Sequence, residues 1–299
     1  ITLLKNTNYT LPLSKTAKVL VTGPNANSMR TLNGAWTYSW QGEKVEEFAA
    51  KYNTIVKAIQ KKVGAANVTY LPGVSYKMDG KYFEDFADKM DETIAAAKNA
   101  DVIVICLGEN TYTETPGNLS DLYISDLQTE LAKKLAATGK TIVLVLNEGR
   151  PRVISKFEKN MSAILQSYLP GNFGGNALAD ILYGDVNPSG KLPYTYPQFP
   201  NALFTYYHKP SESRETTEGV YNYNADYNPQ YVFGHGLSYT TFAYGKVTAD
   251  KKQINAGDKI TFSVNVKNTG SREGAEVVQL YITDSKSSLP RPVKELKGF

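Results

Sequence analysis

Cysteine and histidine are nearly absent: Cys106, His208 and His235 are the whole supply in 299 residues. A single cysteine permits no intrachain disulfide and excludes zinc sites built on several thiolates. Cys106 sits inside the apolar run Val102 to Leu107, where a buried, inert thiol is the ordinary reading. The histidines lie far apart, and no pattern around them supports a His-based triad or a two-His metal site. No metal and no cofactor is expected. G-x-S-x-G is missing, and the nearest Walker-like string, Gly184 to Leu192, has the wrong spacing and no Ser or Thr after Lys191. No apolar run approaches the roughly 20 residues that span a bilayer, so no membrane span is expected. Neither sign of charge dominates: 33 Lys+Arg face 29 Asp+Glu, for a net charge of +4, which does not indicate a nucleic-acid partner. The N-terminus lacks a methionine, a basic region and a signal-like apolar stretch, and reads as a chain entered part-way through a longer protein.

What is present is an ordinary globular composition, 41% hydrophobic and 21% charged, in a length that suits two domains. Residues 1–200 alternate strand and helix signals. Ala17 to Thr22, Asn67 to Leu71, Val102 to Leu107, Thr141 to Leu146 and Ser162 to Tyr168 are short apolar runs that read as strands. Helical spacing marks Thr54 to Val63, Phe83 to Ala97 and Asn176 to Leu182, with a helical stretch around Pro151 to Phe157. Ser125-x-x-Gln128 reads as a capping box opening a helix that Gly139 stops. Buried strands separated by helices imply a doubly wound, mostly parallel α/β sheet, an α/β sandwich. Residues 201–243 lose this periodicity and are rich in Tyr, Asn and Pro, most densely at Tyr221 to Pro229, so they read as an extended connector. From 244 to 299, Lys259 to Val266 alternates strictly and Ala275 to Thr283 repeats a strand pattern, as in the first part of a truncated β-sandwich.

In an open parallel sheet, ligands sit beyond the carboxyl ends of the strands. The loop after the Cys106 strand carries two carboxylates, Glu109 and Glu114, among hydroxyls and Tyr112. A glutamate there can donate a proton if burial raises its pKa; the plainer alternative is two solvated loop carboxylates. Both tryptophans, Trp36 and Trp40, stand in the glycine-flanked loop Leu32 to Gly42. Exposed indoles suit the apolar faces of sugars, whereas composition alone favours a pair of core tryptophans. The glycines of Asn147 to Pro151 and Pro170 to Gly175 could face a phosphate, but structural turns account for them as well.

Taken together, the motifs resemble the C-terminal part of glycoside hydrolase family 3. The matching strings run in order: Thr2-Leu-Leu-Lys-Asn6, Val21-Thr-Gly-Pro-Asn-Ala26, Gly34-Ala-Trp-Thr37 with Trp40-Gln-Gly42, and Gly108-Glu109 through Thr113-Glu-Thr-Pro-Gly117. Then come Gly149-Arg-Pro151, Leu169-Pro-Gly171, Leu182 to Pro193, and Phe233-Gly-His-Gly-Leu-Ser-Tyr-Thr240. The resemblance implies a preceding (β/α)8 barrel as a partner domain, then the α/β sandwich, then a fibronectin type III-like domain.

It also implies a retaining enzyme whose two carboxylates flank the scissile bond about 5–5.5 Å apart. The nucleophile would be an aspartate on the barrel, and Glu114 matches the family's acid/base. Trp40 and Trp36 match the aromatic clamp beyond the cleaved bond, with Tyr112 beside them at the substrate. Glu109 and Asn118 are read as loop supports. Where one branch of the family continues Glu-Thr-Lys-Gly-Asp, this chain has Glu114-Thr-Pro-Gly-Asn118, with neither the lysine nor the aspartate. The implied activity is an exo-acting β-glucosidase on oligosaccharides, with β-xylosidase next, in a periplasmic or secreted setting that leaves room for a homodimer. A non-catalytic carbohydrate-binding or scaffold module is the rival class.

Overall fold

In the computed structural model the described residues are 1–200, 205–209, 228–284 and 286–299. Most of the dense Tyr-Asn segment, residues 221–227, therefore lies outside them. A six-stranded sheet organises the first 200 residues. Its strands are β1 (Thr2–Asn6), β2 (Val19–Thr22), β3 (Val68–Tyr70), β6 (Val102–Gly108), β7 (Thr141–Asn147) and β8 (Ala163–Gln166). The order across the sheet is β1-β8-β7-β6-β2-β3, with β1 antiparallel to β8 and all other pairs parallel.

Two-residue alternation explains the layers. Val102, Val104 and Cys106 of β6 point into one core with Val19, Val21, Val143 and Val145, under α1 (Met29–Asn33), α2 (Val45–Ala49), α3 (Ile55–Val63) and α6 (Gly174–Leu182). Ile103, Ile105 and Leu107 point the other way with Leu20, Ile142 and Leu144, under α4 (Met90–Ala97) and α5 (Asp126–Ala136). Strands buried on both faces must be apolar throughout, which is why they read as unbroken Val, Ile and Leu runs. Thr54 caps α3, its hydroxyl accepting from the Lys57 amide at 3.3 Å.

Two helical expectations are corrected. The stretch Phe83 to Ala97 is helical only from Met90; Asp85–Asp88 is strand β5, paired antiparallel with β4 (Gly73–Tyr76). Phe83 and Phe86 are exposed, so their helical spacing was not a core stripe, and Lys89 breaks the register in a left-handed conformation. Pro151 to Phe157 forms turns rather than a helix. Its backbone instead bridges to residues 122–124, with Val153 N–H donating to the Leu122 carbonyl at 2.9 Å. The sequence reading also missed β1, which closes the sheet edge.

Beyond residue 229 the chain packs back on the sheet domain: Leu237 bridges to Leu3 and the His235 ring nitrogen Nε2 reaches the Leu4 carbonyl at 2.8 Å. Among its described residues the last part holds three antiparallel two-strand ladders: β9 (Phe242–Tyr244) with β12 (Val266–Asn268), β10 (Thr248–Ala249) with β11 (Phe262–Ser263), and β13 (Leu280–Ile282) with β14 (Glu295–Gly298). These strands are shorter than the alternation at 259–266 and 275–283 led us to expect. Phe262, Val266 and Ile282 on these strands are exposed, and an isolated pair of strands is only marginally stable. An ion pair between Lys191 and Glu276, 3.1 Å, ties this part to the sheet domain.

Candidate active site

The chain runs outward from β2 to β3 on one side and from β6 to β7 on the other. The carboxyl ends of β2 and β6 are therefore the topological switch point, where diverging loops leave a crevice. Both loops singled out in the sequence open there. The tryptophan loop follows β2 by way of α1, and the Glu109–Glu114 loop follows β6 directly.

The floor of the crevice is rigid. Gly108 has φ of 144°, and a Cβ there would lie 1.9 Å from the Asn147 carbonyl oxygen, so only glycine lets β6 and β7 stay this close at their ends. The Gln128 side chain accepts from the Gly108 amide at 2.9 Å and donates to its carbonyl at 3.1 Å. Ser125 does cap α5, accepting from the Gln128 amide, but the second half of the expected capping box is spent on Gly108 instead. Tyr76 and Asn25 complete the floor: the Tyr76 hydroxyl lies 2.9 Å from Asn25 Oδ1 and 3.0 Å from the Gly108 carbonyl.

Glu109 is buried, only 4% exposed, and both its oxygens are engaged. Oε1 receives Arg150 Nε at 2.9 Å and Arg152 at 3.0 Å, while Oε2 receives the Tyr112 hydroxyl at 2.9 Å. The reading of two solvated carboxylates is thus wrong for Glu109. Burial, then the charge of Glu109, pushes the Tyr112 phenol well above its ordinary range, which keeps it a donor. Arg150 also donates to the Gly117 carbonyl at 2.8 Å and the Tyr82 hydroxyl at 2.9 Å, and its guanidinium lies 4.0 Å from the centre of the Tyr112 ring. Burial works against the Arg150 charge, but the hydrogen bond and charge of Glu109 leave its pKa above the usual value. Two arginines that follow β7 thus fasten the loop after β6, by hydrogen bonds at residues 109, 117 and 122 and through the ring of Tyr112.

Glu114 stands outside this network. It is exposed, and among the described residues no hydrogen bond or ion pair holds its carboxylate. Its backbone has φ 54° and ψ −151°, a region that residues other than glycine enter only at a cost of about 1–3 kcal/mol. A single turn, Thr115–Gly117, follows, with the Gly117 amide donating to the Glu114 carbonyl at 2.9 Å. Asn118 is exposed at the end of that turn.

Trp36 is 68% exposed and Trp40 46%, so neither is a core residue. The Trp36 amide donates to the Trp40 carbonyl at 3.0 Å and closes the loop, and Tyr38 stacks on Phe48 at 5.4 Å. The Gln41 side chain then reaches across to the other loop, donating to the Thr113 carbonyl at 3.1 Å and accepting from the Thr113 amide at 2.9 Å. Thr111 donates to the Gln41 carbonyl at 2.6 Å and accepts from Arg30 Nε at 2.6 Å. A cleft of about 180 Å³ lies between the loops, lined by Thr31, Thr111, Tyr112, Gly149 and Leu169 among others. Tyr112 faces that cleft with its hydroxyl already committed to Glu109.

The remaining candidates do other work. Cys106 is buried, and desolvation drives its thiol far up. His208 and His235 each hold a backbone carbonyl. A Cβ on Gly175 would lie 2.3 Å from the Asn53 carbonyl oxygen, so this glycine serves packing of α6. Among the described residues no cluster of three or more His, Cys, Asp or Glu could hold a metal, and no helix is long and apolar enough to cross a membrane. The signal for Gln41 and Gln128 in the sequence was slight, since neutral amides carry no chemistry that composition can reveal.

An open carboxylate on one loop and exposed indoles on the loop tied to it, at the switch point of a doubly wound sheet, are suited to a proton transfer on a bound sugar. The fold is that of the α/β domains of glycoside hydrolases. The model of the glycosyl hydrolase family 3 C-terminal domain matches residues 1–239, and that of the fibronectin type III-like domain matches residues 276–299. A periplasmic β-glucosidase of Salmonella typhimurium is 38% identical over all of this chain, which covers 41% of that protein. A β-xylosidase of Formosa agariphila is 36% identical over all of the chain, which covers 40% of it. The solved structure of a β-glucosidase from Erythrobacter marinus matches 99% of this chain with a TM-score of 0.83 at 36% identity, using 41% of its own length. The chain belongs to glycosyl hydrolase family 3, and it spans about two-fifths of the length of these relatives.

Proposed function

We propose that the chain supplies the acid/base and the leaving-group wall of a retaining, exo-acting β-glucosidase that releases terminal β-D-glucosyl residues from oligosaccharides. The observation that carries this reading is the contrast between two glutamates on one loop. Glu109 is enclosed by two arginines and a tyrosine, whereas Glu114 is exposed and, among the described residues, unpaired, on a loop that Gln41 ties to the one bearing Trp36 and Trp40. Glu114 protonates the glycosidic oxygen while an aspartate on a preceding barrel of the parent chain attacks the anomeric carbon. After the aglycone leaves, Glu114 takes a proton from water, which attacks the glycosyl-enzyme and gives net retention.

The Formosa relative supports β-xylosides as a second substrate class, and the Salmonella relative supports a periplasmic or secreted setting. We assign residues 1–200 to the domain bearing the acid, 201–243 to a connector and 244–299 to the fibronectin-like part. The test is to assay the parent chain on 4-nitrophenyl β-glucoside and β-xyloside and to follow the product anomer by NMR. Release of the β-anomer first supports the reading. Release of the α-anomer sinks the mechanism, and sugar binding without turnover favours a carbohydrate-binding module.

A further inference from the structure

Glu114 sits in a backbone conformation that it would not keep unaided. With φ 54° and ψ −151° it occupies a region populated almost only by glycine, and among the described residues its side chain makes no hydrogen bond or ion pair that offsets the cost. Such a residue persists only where its neighbours over-determine it. On the C-terminal side that constraint is the turn closed by Gly117, 2.9 Å from the Glu114 carbonyl. On the N-terminal side it is Gln41. The Gln41 amide pairs with both backbone groups of Thr113, at 3.1 and 2.9 Å, in the manner of a residue on a neighbouring strand. Because Thr113 directly precedes Glu114, fixing its peptide groups fixes where the glutamate begins.

We propose that Gln41 is a positioning residue for the acid: by clasping Thr113 it holds the strained Glu114 at a set offset from Trp40. The offset is short and stiff. Trp40 and Gln41 are adjacent in sequence, as are Thr113 and Glu114, so the aromatic wall and the acid are joined through one side chain and two peptide units. The Gln41 backbone is anchored in turn, since its carbonyl accepts from Thr111 at 2.6 Å and Arg30 braces that same threonine hydroxyl. Gly42 follows with φ of 72° and turns the chain away; a Cβ there would lie 2.7 Å from the Gly34 carbonyl oxygen. A sugar held on the indoles is thereby presented to a carboxyl whose place is already set. Losing the clasp releases the acid but leaves the wall standing.

The inference rests on Glu114 being the acid, and its test separates the two claims. In the parent chain, Gln41→Met keeps the side-chain length and removes both polar atoms. A glycosidic oxygen that leaves poorly needs the proton, whereas a dinitrophenolate does not. Gln41→Met should therefore lower kcat/KM on a β-glucosyl disaccharide by about 10- to 100-fold, the scale of loss from an acid displaced by roughly 1 Å. The same variant should lower kcat/KM on 2,4-dinitrophenyl β-glucoside by less than threefold. Equal losses on the two substrates, or none on the disaccharide, would overturn the role of Gln41. Glu114→Gln is read alongside: if it is selective for the disaccharide and Gln41→Met is not, only the present inference fails. If Glu114→Gln spares the disaccharide, the acid itself has been misassigned. Gln41→Glu serves should the methionine variant not fold. Its carboxyl can clasp both Thr113 groups when protonated but opposes the carbonyl when ionised. Its disaccharide deficit, relative to the unaltered protein, should then widen as pH rises; a deficit independent of pH counts against the clasp.

Discussion

The Glu109 carboxylate and the Arg150 guanidinium meet at 2.9 Å behind the loop that carries Glu114, with Arg152 on the same oxygen at 3.0 Å. Glu109 is buried, and both arginines are half-buried. An ion pair of this kind contributes little net stability by itself, yet removing one partner leaves uncompensated charge inside the protein. Glu109→Ala would set two guanidiniums against each other and free Tyr112, at a cost of about 3–5 kcal/mol. Urea unfolding of the altered protein measures it; a midpoint unchanged from the parent would show that solvent already reaches the pair.

Glu114→Gln should leave the fold intact, because the side chain is exposed and supports nothing. Its effect is chemical. Cleavage of a disaccharide should fall by about 10²–10⁴, the ordinary contribution of a general acid. With an activated aryl glucoside the glycosyl-enzyme still forms and then accumulates, since water lacks its base. Azide, which needs no base, should restore turnover and yield the glucosyl azide. Full disaccharide activity in the variant would remove Glu114 from its role.

Trp36 and Trp40 are exposed enough that Trp→Ala at either should change stability by no more than about 0.5 kcal/mol, the usual range for surface positions. A packed-core reading would instead demand about 3–5 kcal/mol. The functional readout is the leaving group. Trp40→Ala should reduce kcat/KM about tenfold on a disaccharide, whose second ring stacks on the indole, in line with about 0.5–1.5 kcal/mol for an aromatic contact. Glucosyl fluoride has no ring in its leaving group and should be spared. An equal loss on both substrates would place Trp40 elsewhere.

The layers of the sheet were legible because burial on two faces demands apolar strands, and Val102 to Leu107 and Thr141 to Leu146 advertise that directly. β1 was not legible: Thr2-Leu-Leu-Lys-Asn6 is an edge strand whose partner, β8, lies more than 150 residues away, and nothing local announces the pairing. Phe83 and Phe86 mimicked a helical stripe because the spacing of three that suits a helix also occurs in an exposed turn and hairpin. At the site, the strings around Glu114 and Trp40 stood out by residue type. The clasp by Gln41 and the brace by Gln128 did not, since they depend on which backbone groups the fold brings within hydrogen-bond reach.

A pH dependence of stability is built in beside the site. Glu148 follows β7 and is buried; among the described residues one of its oxygens has no hydrogen-bond partner, while the other accepts from Tyr196 at 2.8 Å and Gln166 at 3.0 Å. Burial lifts its carboxyl to about 8, the charge of Glu109 adds to the rise, and hydrogen bonding, that of Tyr196 foremost, opposes it. A carboxyl with a raised pKa binds its proton more tightly in the folded state than in the unfolded one. Stability from this group is therefore fullest below the ordinary carboxylate range and falls as pH climbs from about 4.5 to about 8, then levels off. The loss accrues at no more than about 1.4 kcal/mol per pH unit. Glu148→Gln retains shape and cannot ionise, so its Tm should exceed that of the parent at pH 8 and approach it near pH 4.5. Thermal unfolding of both proteins across that interval decides the matter: parallel curves would mean that Glu148 is charged or solvated when folded. Glu109→Gln, where it folds, should make the fall level off at lower pH, with its start unchanged, since it removes the neighbouring charge that helps hold the proton on Glu148.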